Sequence, residues 1–227
     1  MALVESVGGM LEKEYNSVRC ACAIDFSIPH LVLRMFSEMD GQEAQRMARS
    51  PVRLLEENHA IPPIIRAARA EAPDVMLCLL QQRADPDAIL YDTKPMEEPP
   101  LLQRVKSNRV APNPSNFAVT AFHVVLRQAD GKEWHPMQAA FWALCTHPDA
   151  RRSIFDVQDE MGSTIVNLAR TLQDEVARKQ AMDALAHLAA TCGRVDALEL
   201  LLADRAVGPD PNGLSLLHAA AQRSRRE

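Results

Sequence analysis

The segment 184–221 constrains the fold more than any other part of the chain, because the same short phrase occurs in it twice. His187-Leu-Ala-Ala and His218-Ala-Ala-Ala lie 31 residues apart. A repeat period of about 20–50 residues is typical of proteins that are built from stacked structural units. The sequence between the two phrases predicts one such unit, made of a helix, a tight turn, a second helix and an extended turn.

Turn-forming residues indicate where these helices end. Gly193 is expected to end the first helix, because glycine readily adopts a positive φ. The run Gly208-Pro209-Asp210-Pro211-Asn212-Gly213 cannot continue a helix and is predicted to form the extended turn. The second helix is predicted from one apolar stripe at helical spacing, which consists of Val195, Leu198, Leu201 and Leu202.

These residues resemble the ankyrin repeat, whose signature runs G-x-T-P-L-H-x-A-A, then x-x-G at the first turn, then V-x-x-L-L-x-x-G-A. The stretch Gly213-Leu-Ser-Leu-Leu-His-Ala-Ala-Ala is similar to the opening, and Ala189-Ala-Thr-Cys-Gly to the first turn. A second copy, 67–84, aligns without a gap on 189–206 and matches it through Ala67-Ala68, Asp74, Leu79-Leu80 and Arg83-Ala84. The resemblance implies an all-α, ankyrin-like helical repeat solenoid with a helical N-terminal cap.

The repeat openings divide the chain into two parts. Residues 1–58 are predicted to form a helical N-terminal cap or extension, because a repeat stack needs an end that shields its first apolar face. Residues 59–227 are predicted to form divergent ankyrin-like repeats, with an irregular middle at 99–180 and an incomplete last repeat. The alternative is that 99–180 is a divergent helical region and that only the ends are true repeats. We expect the chain to be cut from a longer protein, since no second helix follows 213–222, and the alternative is that a half-repeat closes the stack.

The spacing of the openings also predicts an insertion. They fall near residues 62, 99, 135, 164, 184 and 215, and the gap from 164 to 184 cannot hold two helices and a turn. We therefore expect one helix over Thr164–Leu172, and a second one that Asp174 caps and that continues over Glu175–Thr191 as an extended first helix. In the irregular middle, Asn116–Gln128 is predicted as a second helix of a repeat. The phrase at His135–Ala140 is predicted to open a first helix.

The N-terminal part contains a second, weaker resemblance. Ser27 is predicted to cap a helix that has Pro29 in its first turn, and a helix is also predicted over Val7–Ile24. The segment 27–40 resembles the start of an F-box, which implies a ubiquitin-ligase substrate receptor as an alternative function. The helix that follows Ser27 has one apolar stripe, made of Leu31, Val32, Met35, Phe36 and Met39.

The bulk composition excludes several classes of protein. A formal net charge of −5 and a pI near 5.8 give no reason to expect a nucleic-acid partner. No run of about 18 apolar residues is present, so we expect no membrane span. The N-terminus lacks the basic start and apolar centre of a signal peptide. Five cysteines at scattered spacings are typical of reduced thiols, and the protein is therefore expected to be cytoplasmic or nuclear.

No group of residues predicts catalysis, a metal site or a cofactor. His187 and His218 occupy the histidine position of the repeat, where the resemblance implies that the imidazole bonds to backbone in the adjacent turn. His123, in Thr120-Ala-Phe-His, is a candidate of the same kind. Cys145-Thr-His147 does not have the spacing of a zinc site. The chain also lacks a nucleophile motif and a glycine-rich phosphate loop.

The resemblance implies a non-catalytic scaffold or adaptor that binds another protein through its turn tips and the exposed side of its first helices. The 156–160 tip has three acids and no base, which favours a basic segment on the partner. Trp134 is either a core residue or an anchor for the partner. The remaining alternative is a regulatory or targeting domain of a larger enzyme. The predicted contact residues are Asp92, Lys94, Asp156, Gln158, Asp159, Glu160, Asp210 and Asn212 at the turn tips, and Arg69, Thr191, Gln222 and Arg223 on the helices.

Overall fold

The computed structural model describes residues 15–52, 60–91, 118–129, 134–203 and 215–224, and most of them are helical. The prediction of an all-α chain is confirmed at that level, and no described helix is long and apolar enough to cross a membrane. Two short strands, β1 (Leu90–Tyr91) and β2 (Ala118–Val119), pair antiparallel, and a 3-10 helix covers Arg152–Asp156. The helices are α1 (15–25), α2 (Pro29–Ser37), α3 (Gly41–Arg49), α4 (Pro63–Arg69), α5 (Pro73–Gln81), α6 (Ala121–Ala129), α7 (His135–Thr146), α8 (Ile165–Thr171), α9 (Glu175–Cys192), α10 (Val195–Leu202) and α11 (Leu216–Ser224).

Local hydrogen bonds begin and end the helices of the predicted insertion. The Asp174 carboxylate accepts a hydrogen bond from the Ala177 N–H at 2.9 Å, so that α9 begins at Glu175. The Thr164 hydroxyl accepts one from the Asn167 N–H, and α8 follows it. Gly193 has a φ of 62° and ends α9. The bounds predicted for these two helices, Thr164–Leu172 and Glu175–Thr191, therefore agree with the structure to within one residue at each end.

The central helices pack against one another in two rows. In the first row α4 contacts α6 and α6 contacts α8, and in the second row α5 contacts α7 and α7 contacts α9. Helices α10 and α11 both pack against α9. This order differs from the prediction, because α6 was assigned to a second helix and α7 to a first helix. In the structure α6 lies in the row of α4, the predicted first helix, and α7 lies in the row of α5. Helix α9, which was predicted as an extended first helix, also lies in the row of α5, the predicted second helix.

Helix α2 and helix α3 contact α5 and α4, respectively. The predicted stripe of α2 is confirmed as a buried face, with Val32, Met35 and Phe36 buried against the core. This face is therefore covered within the chain, and the F-box-like role of 27–40 stays a prediction. The prediction that Ser27 caps α2 is wrong. Ser27 has a φ of 50° and its hydroxyl donates to the carbonyl of Ala70 at 3.1 Å, so that α2 begins only at Pro29.

Two predictions about apolar residues are corrected by their burial. Trp134 is buried and packs edge-on against Phe141, and its indole N–H donates to Gln180 at 2.6 Å. It is therefore a core residue and does not anchor a partner.

The apolar stripe predicted for α10 is wrong at Val195, which is exposed, whereas Ala197 and Leu201 are buried. Ala197 and Leu201 therefore belong to the buried side of α10, and Val195 faces solvent.

The burial of the cysteines leads to a prediction about their reactivity. Burial raises the pKa of Cys20 to about 12 and that of Cys78 to about 11, and it also raises the pKa of Cys145. Because the thiolate is the reactive form, iodoacetamide should label the partly exposed Cys22 first, while Cys20, Cys78, Cys145 and the buried Cys192 react only on unfolding. Mass spectrometry of peptides after timed labelling measures this order. Early labelling of Cys145 would contradict it.

Candidate functional site

The predicted acidic tip is a tight turn between the 3-10 helix and α8, and we refer to residues 156–163 as the 156–163 tip. The N–H of Gly162 donates to the carbonyl of Asp159 at 2.9 Å, and Gly162 has a φ of 73°. The N–H of Asp159 donates in turn to the carbonyl of Ser163 at 3.0 Å. Glycine at position 162 provides the positive φ that this turn requires. The backbone of the tip is therefore held by its own hydrogen bonds.

The Asp159 carboxylate lies inside this turn and is 0% exposed. Its Oδ1 accepts hydrogen bonds from the N–H groups of Met161 and Ser163, each at 2.9 Å. Its Oδ2 forms an ion pair with Arg127 of α6 at 2.9 Å. Although burial opposes ionisation, the hydrogen bonds from Ser163 and Met161, together with Arg127, hold the pKa of Asp159 below its ordinary value. Asp159 thus organises the turn and does not offer its carboxylate to a partner.

Helix α6 and strand β2 fasten the tip to the rest of the molecule. The Arg127 guanidinium also donates to the exposed Glu160 at 2.9 Å, so that one arginine binds two of the acids. The N–H of Ala118 in β2 donates to the carbonyl of Gln158 at 3.2 Å, while the Gln158 side chain is exposed. Residues 156–160 contain no base, and the positive charge beside Asp159 and Glu160 comes from Arg127, in a distant part of the chain.

The third acid of the tip, Asp156, is bound by Arg194, the residue that precedes α10. Both terminal nitrogens of Arg194 donate to Asp156 at 2.8 Å, and its guanidinium lies 5.6 Å from the centre of the Phe155 ring. Arg194 also donates to Asp196, and this hydrogen bond lowers the pKa of that carboxyl. Arg194 is buried, whereas Asp156 and Asp196 both face solvent. The arginine thus ties the 3-10 helix to the start of α10.

The histidines of the repeat phrase make contacts within the fold, and the backbone of Ser163 and Val157 in the neighbouring tip acts on the His123 imidazole. The Nδ1 atom of His123 lies 2.8 Å from the Thr120 hydroxyl, and Nδ1 of His218 lies 2.8 Å from the Ser215 hydroxyl. In both cases the imidazole therefore contacts the residue three positions earlier, in its own turn. His187 is buried, and its ring lies 5.5 Å from that of Trp142. Burial lowers the pKa of His123, which keeps its imidazole neutral.

The other predicted contact residues are spread over the molecule. Arg69 is exposed at the end of α4, and its carbonyl accepts a hydrogen bond from Gln128. Thr191 is partly buried, and its hydroxyl donates to the carbonyl of His187 at 2.8 Å. Gln222 and Arg223 belong to α11, but their side chains are outside the described residues. The partner-binding role of these four residues stays a prediction. Asp92, Lys94, Asp210 and Asn212 lie outside the described residues altogether.

One exposed residue of the tip was missed by sequence reasoning. Met161 lies between Glu160 and Gly162 in the turn, and 79% of its surface is exposed. A flexible thioether side chain on a rigid backbone is well suited to bind a partner, because methionine adapts its shape to an apolar surface. The signal in the sequence was an apolar residue in a turn where polar residues are usual.

Comparisons with protein-family models, with curated proteins and with solved structures found no match to this chain. Within the described ranges, no three His, Cys, Asp or Glu side chains converge in a way that could hold a metal ion.

Proposed function

We propose that this protein is an ankyrin-like helical-repeat scaffold that binds another protein and does not catalyse a reaction. The observation that carries the proposal is the backbone at two turns. In the alignment of 67–84 on 189–206, Glu71 falls on Gly193, the glycine of the first turn, and Arg83 falls where the signature has its last glycine. Glu71 has a φ of 53° and Arg83 a φ of 59°. Positive φ is uncommon outside glycine, so this agreement supports a shared repeat geometry.

The hydroxyl–imidazole contacts support the same proposal. Thr120 and Ser215 occupy the T position of the T-P-L-H phrase, and His123 and His218 occupy its H position. The same contact at 2.8 Å therefore recurs at the start of two helices that are far apart in sequence. The two rows of helices support a stack of helix pairs, which forms an extended surface on which partner-binding residues can vary, although α9 lies in the row of α5 rather than in that of α4.

The packing at the N-terminal side supports the cap that was predicted for 1–58. Arg66 of α4 is buried, and it donates to the Asp25 carboxylate at 2.6 Å and to the Val52 carbonyl at 3.3 Å. Cys20 and Met47 line the same small gap as Arg66, so that α1 and α3 both approach α4. A cap of this kind would shield the apolar side of the first repeat from water.

We infer that the partner contacts the 156–163 tip. Met161 provides an exposed apolar surface, and the carboxylates of Asp156 and Glu160 lie partly in solvent beside it. Each of these carboxylates already forms an ion pair with an arginine of the chain, Arg194 for Asp156 and Arg127 for Glu160. A basic segment of the partner would therefore interact with carboxylates whose charge is already balanced. The apolar contact at Met161 is therefore expected to contribute most of the affinity, and the charges to contribute orientation and association rate.

Substitution of Met161 tests this site, since its side chain contributes little to the fold. We expect Met161→Asp to weaken partner binding about tenfold or more, while the thermal unfolding midpoint stays within about 2 °C of wild type. Val176→Asp is the matched control, because Val176 is an exposed apolar residue on α9. Immobilised wild-type and variant proteins are compared for capture from an extract of the source cells, and each captured protein is then purified and titrated.

Proteins lost with Met161→Asp but kept with Val176→Asp would be partners of the tip. If both variants capture the same proteins with wild-type affinity, the tip is not the binding surface. If no protein binds the wild-type chain specifically, the scaffold function itself is contradicted.

A further inference from the structure

The connection that follows α5 and the connection that follows α7 meet at a hydrogen bond between distant residues. The Oδ2 atom of Asp87 accepts the backbone N–H of Arg151 at 2.6 Å. Beside it, Arg49 of α3 donates to the carbonyl of Arg83 at 2.6 Å and to Asp149 at 3.0 Å. His147 contacts the carbonyl of Leu80 through Nε2 at 3.2 Å. These contacts hold residues 147–151 against residues 80–87.

The Asp87 carboxyl is poorly placed to carry a negative charge. Its Oδ1 atom is buried and has no hydrogen-bond partner within the described part of the chain. Burial is the main cause that raises the pKa of Asp87, from 3.8 to about 7, and the neighbouring carboxylates of Asp85 and Asp149 add to it. The hydrogen bond and the charge of Arg151 oppose this shift without cancelling it. The charged groups that act on the carboxyl are Asp85, Asp149 and Arg151, and both Arg49 and His147 contact Asp149.

We propose that Asp87 and the backbone of Arg151 form a proton-controlled clamp, which is closed while Asp87 is protonated and loosens when Asp87 ionises. In the closed clamp the carboxyl is neutral, so that burial of its Oδ1 atom does not bury a charge. The neutral carboxyl is also not repelled by the carboxylates of Asp85 and Asp149. In the open clamp the carboxyl reaches water, where its charge is hydrated. The clamp concerns the fold itself and does not depend on the proposed partner binding.

The direction of the pH effect follows from the two protonation states. The open form releases its proton near the ordinary pKa of 3.8, whereas the closed form keeps it until about pH 7. Between these values the closed form binds more protons, so each rise in pH favours the open form. Above pH 7 both forms are ionised, and the preference stays constant. The clamp is thus expected to respond in the range where the pH of a cell varies.

Hydrogen exchange of the Arg151 amide measures the opening directly. After correction for the intrinsic exchange rate, we expect the protection of this amide to fall at least tenfold between pH 5 and pH 7.5 in the wild-type protein. Asp87→Asn should abolish the pH dependence, because asparagine has the same shape and its side-chain oxygen still accepts the Arg151 N–H. Asp74→Asn, at an exposed position on α5, is the matched control and should keep the wild-type profile. His147 is present in all three proteins and cannot account for a difference between them.

A wild-type profile that is flat, or that persists in Asp87→Asn, would overturn the clamp. The carbon chemical shift of the Asp87 carboxyl provides a second measurement that does not require a variant. A titration midpoint near pH 7 supports the proposal, and a midpoint below pH 5 contradicts it.

Discussion

Replacing Arg66 with alanine is expected to lower the free energy of unfolding by about 3 kcal/mol. The Arg66 side chain is only 4% exposed, and it joins α4 to the end of α1 through Asp25 and to Val52 through the backbone carbonyl. Alanine would leave the Asp25 carboxylate without its close counter-charge and would open a void beside Cys20 and Met47. Equilibrium unfolding in urea, with fluorescence from the buried tryptophans, measures the change.

Two further variants separate the ion pair from the packing around it. Arg66→Met keeps most of the side-chain volume and should recover part of the lost stability. Asp25→Asn should cost about 1 kcal/mol, because the Asp25 side chain is 35% exposed and water screens its interaction with Arg66. An Arg66→Ala variant within about 1 kcal/mol of wild type would show that α1 and α3 do not depend on this residue. It would also weaken the proposal that residues 1–58 form a cap.

The features that could be predicted from the sequence are those that depend on neighbouring residues. Asp174 caps α9 and Gly193 ends it because both interactions lie within one turn of helix. The buried stripe of α2 was predicted for the same reason, since its spacing alone places Val32, Met35 and Phe36 on one face. The length of α9, the long helix of the predicted insertion, could be predicted because Asp174 marks its start and Gly193 its end.

The features that were missed depend on contacts between distant parts of the chain. The arginine that binds Asp159 is 32 residues away on another helix, and nothing in the spacing of either residue indicates the pair. For the same reason, the tip was interpreted as an acidic surface without a base. The buried face predicted for α10 was also wrong, because Ala197 rather than Val195 is buried. A helix with six apolar residues in eight allows both orientations, and only the packing decides between them.

The second large effect is expected at Asp159. Asp159→Ala removes the acceptor of two backbone N–H groups and the buried partner of Arg127, and should lower the free energy of unfolding by about 3 kcal/mol. Asp159→Asn should cost less, since one side-chain oxygen can still accept the N–H groups of Met161 and Ser163. Glu160→Gln is the matched control and should change stability by less than about 0.5 kcal/mol, because Glu160 is exposed.

The pH dependence of stability tests the same interpretation of Asp159. Because the pKa of Asp159 is lower in the folded protein than its ordinary value of 3.8, this group stabilises the fold above about pH 4, and the contribution is lost as the pH falls further. Wild type should therefore lose stability on acidification more steeply than Asp159→Asn, which has no carboxylate to protonate. Parallel urea titrations between pH 2.5 and pH 6 measure the two slopes. Equal slopes would mean that the carboxylate does not organise the turn, and charge reversal at Asp159 would then be a valid test of partner binding. If the slopes differ as expected, such a reversal would disrupt the turn itself, and the surface is then tested at Met161, Glu160, Asp156 and the exposed Gln158.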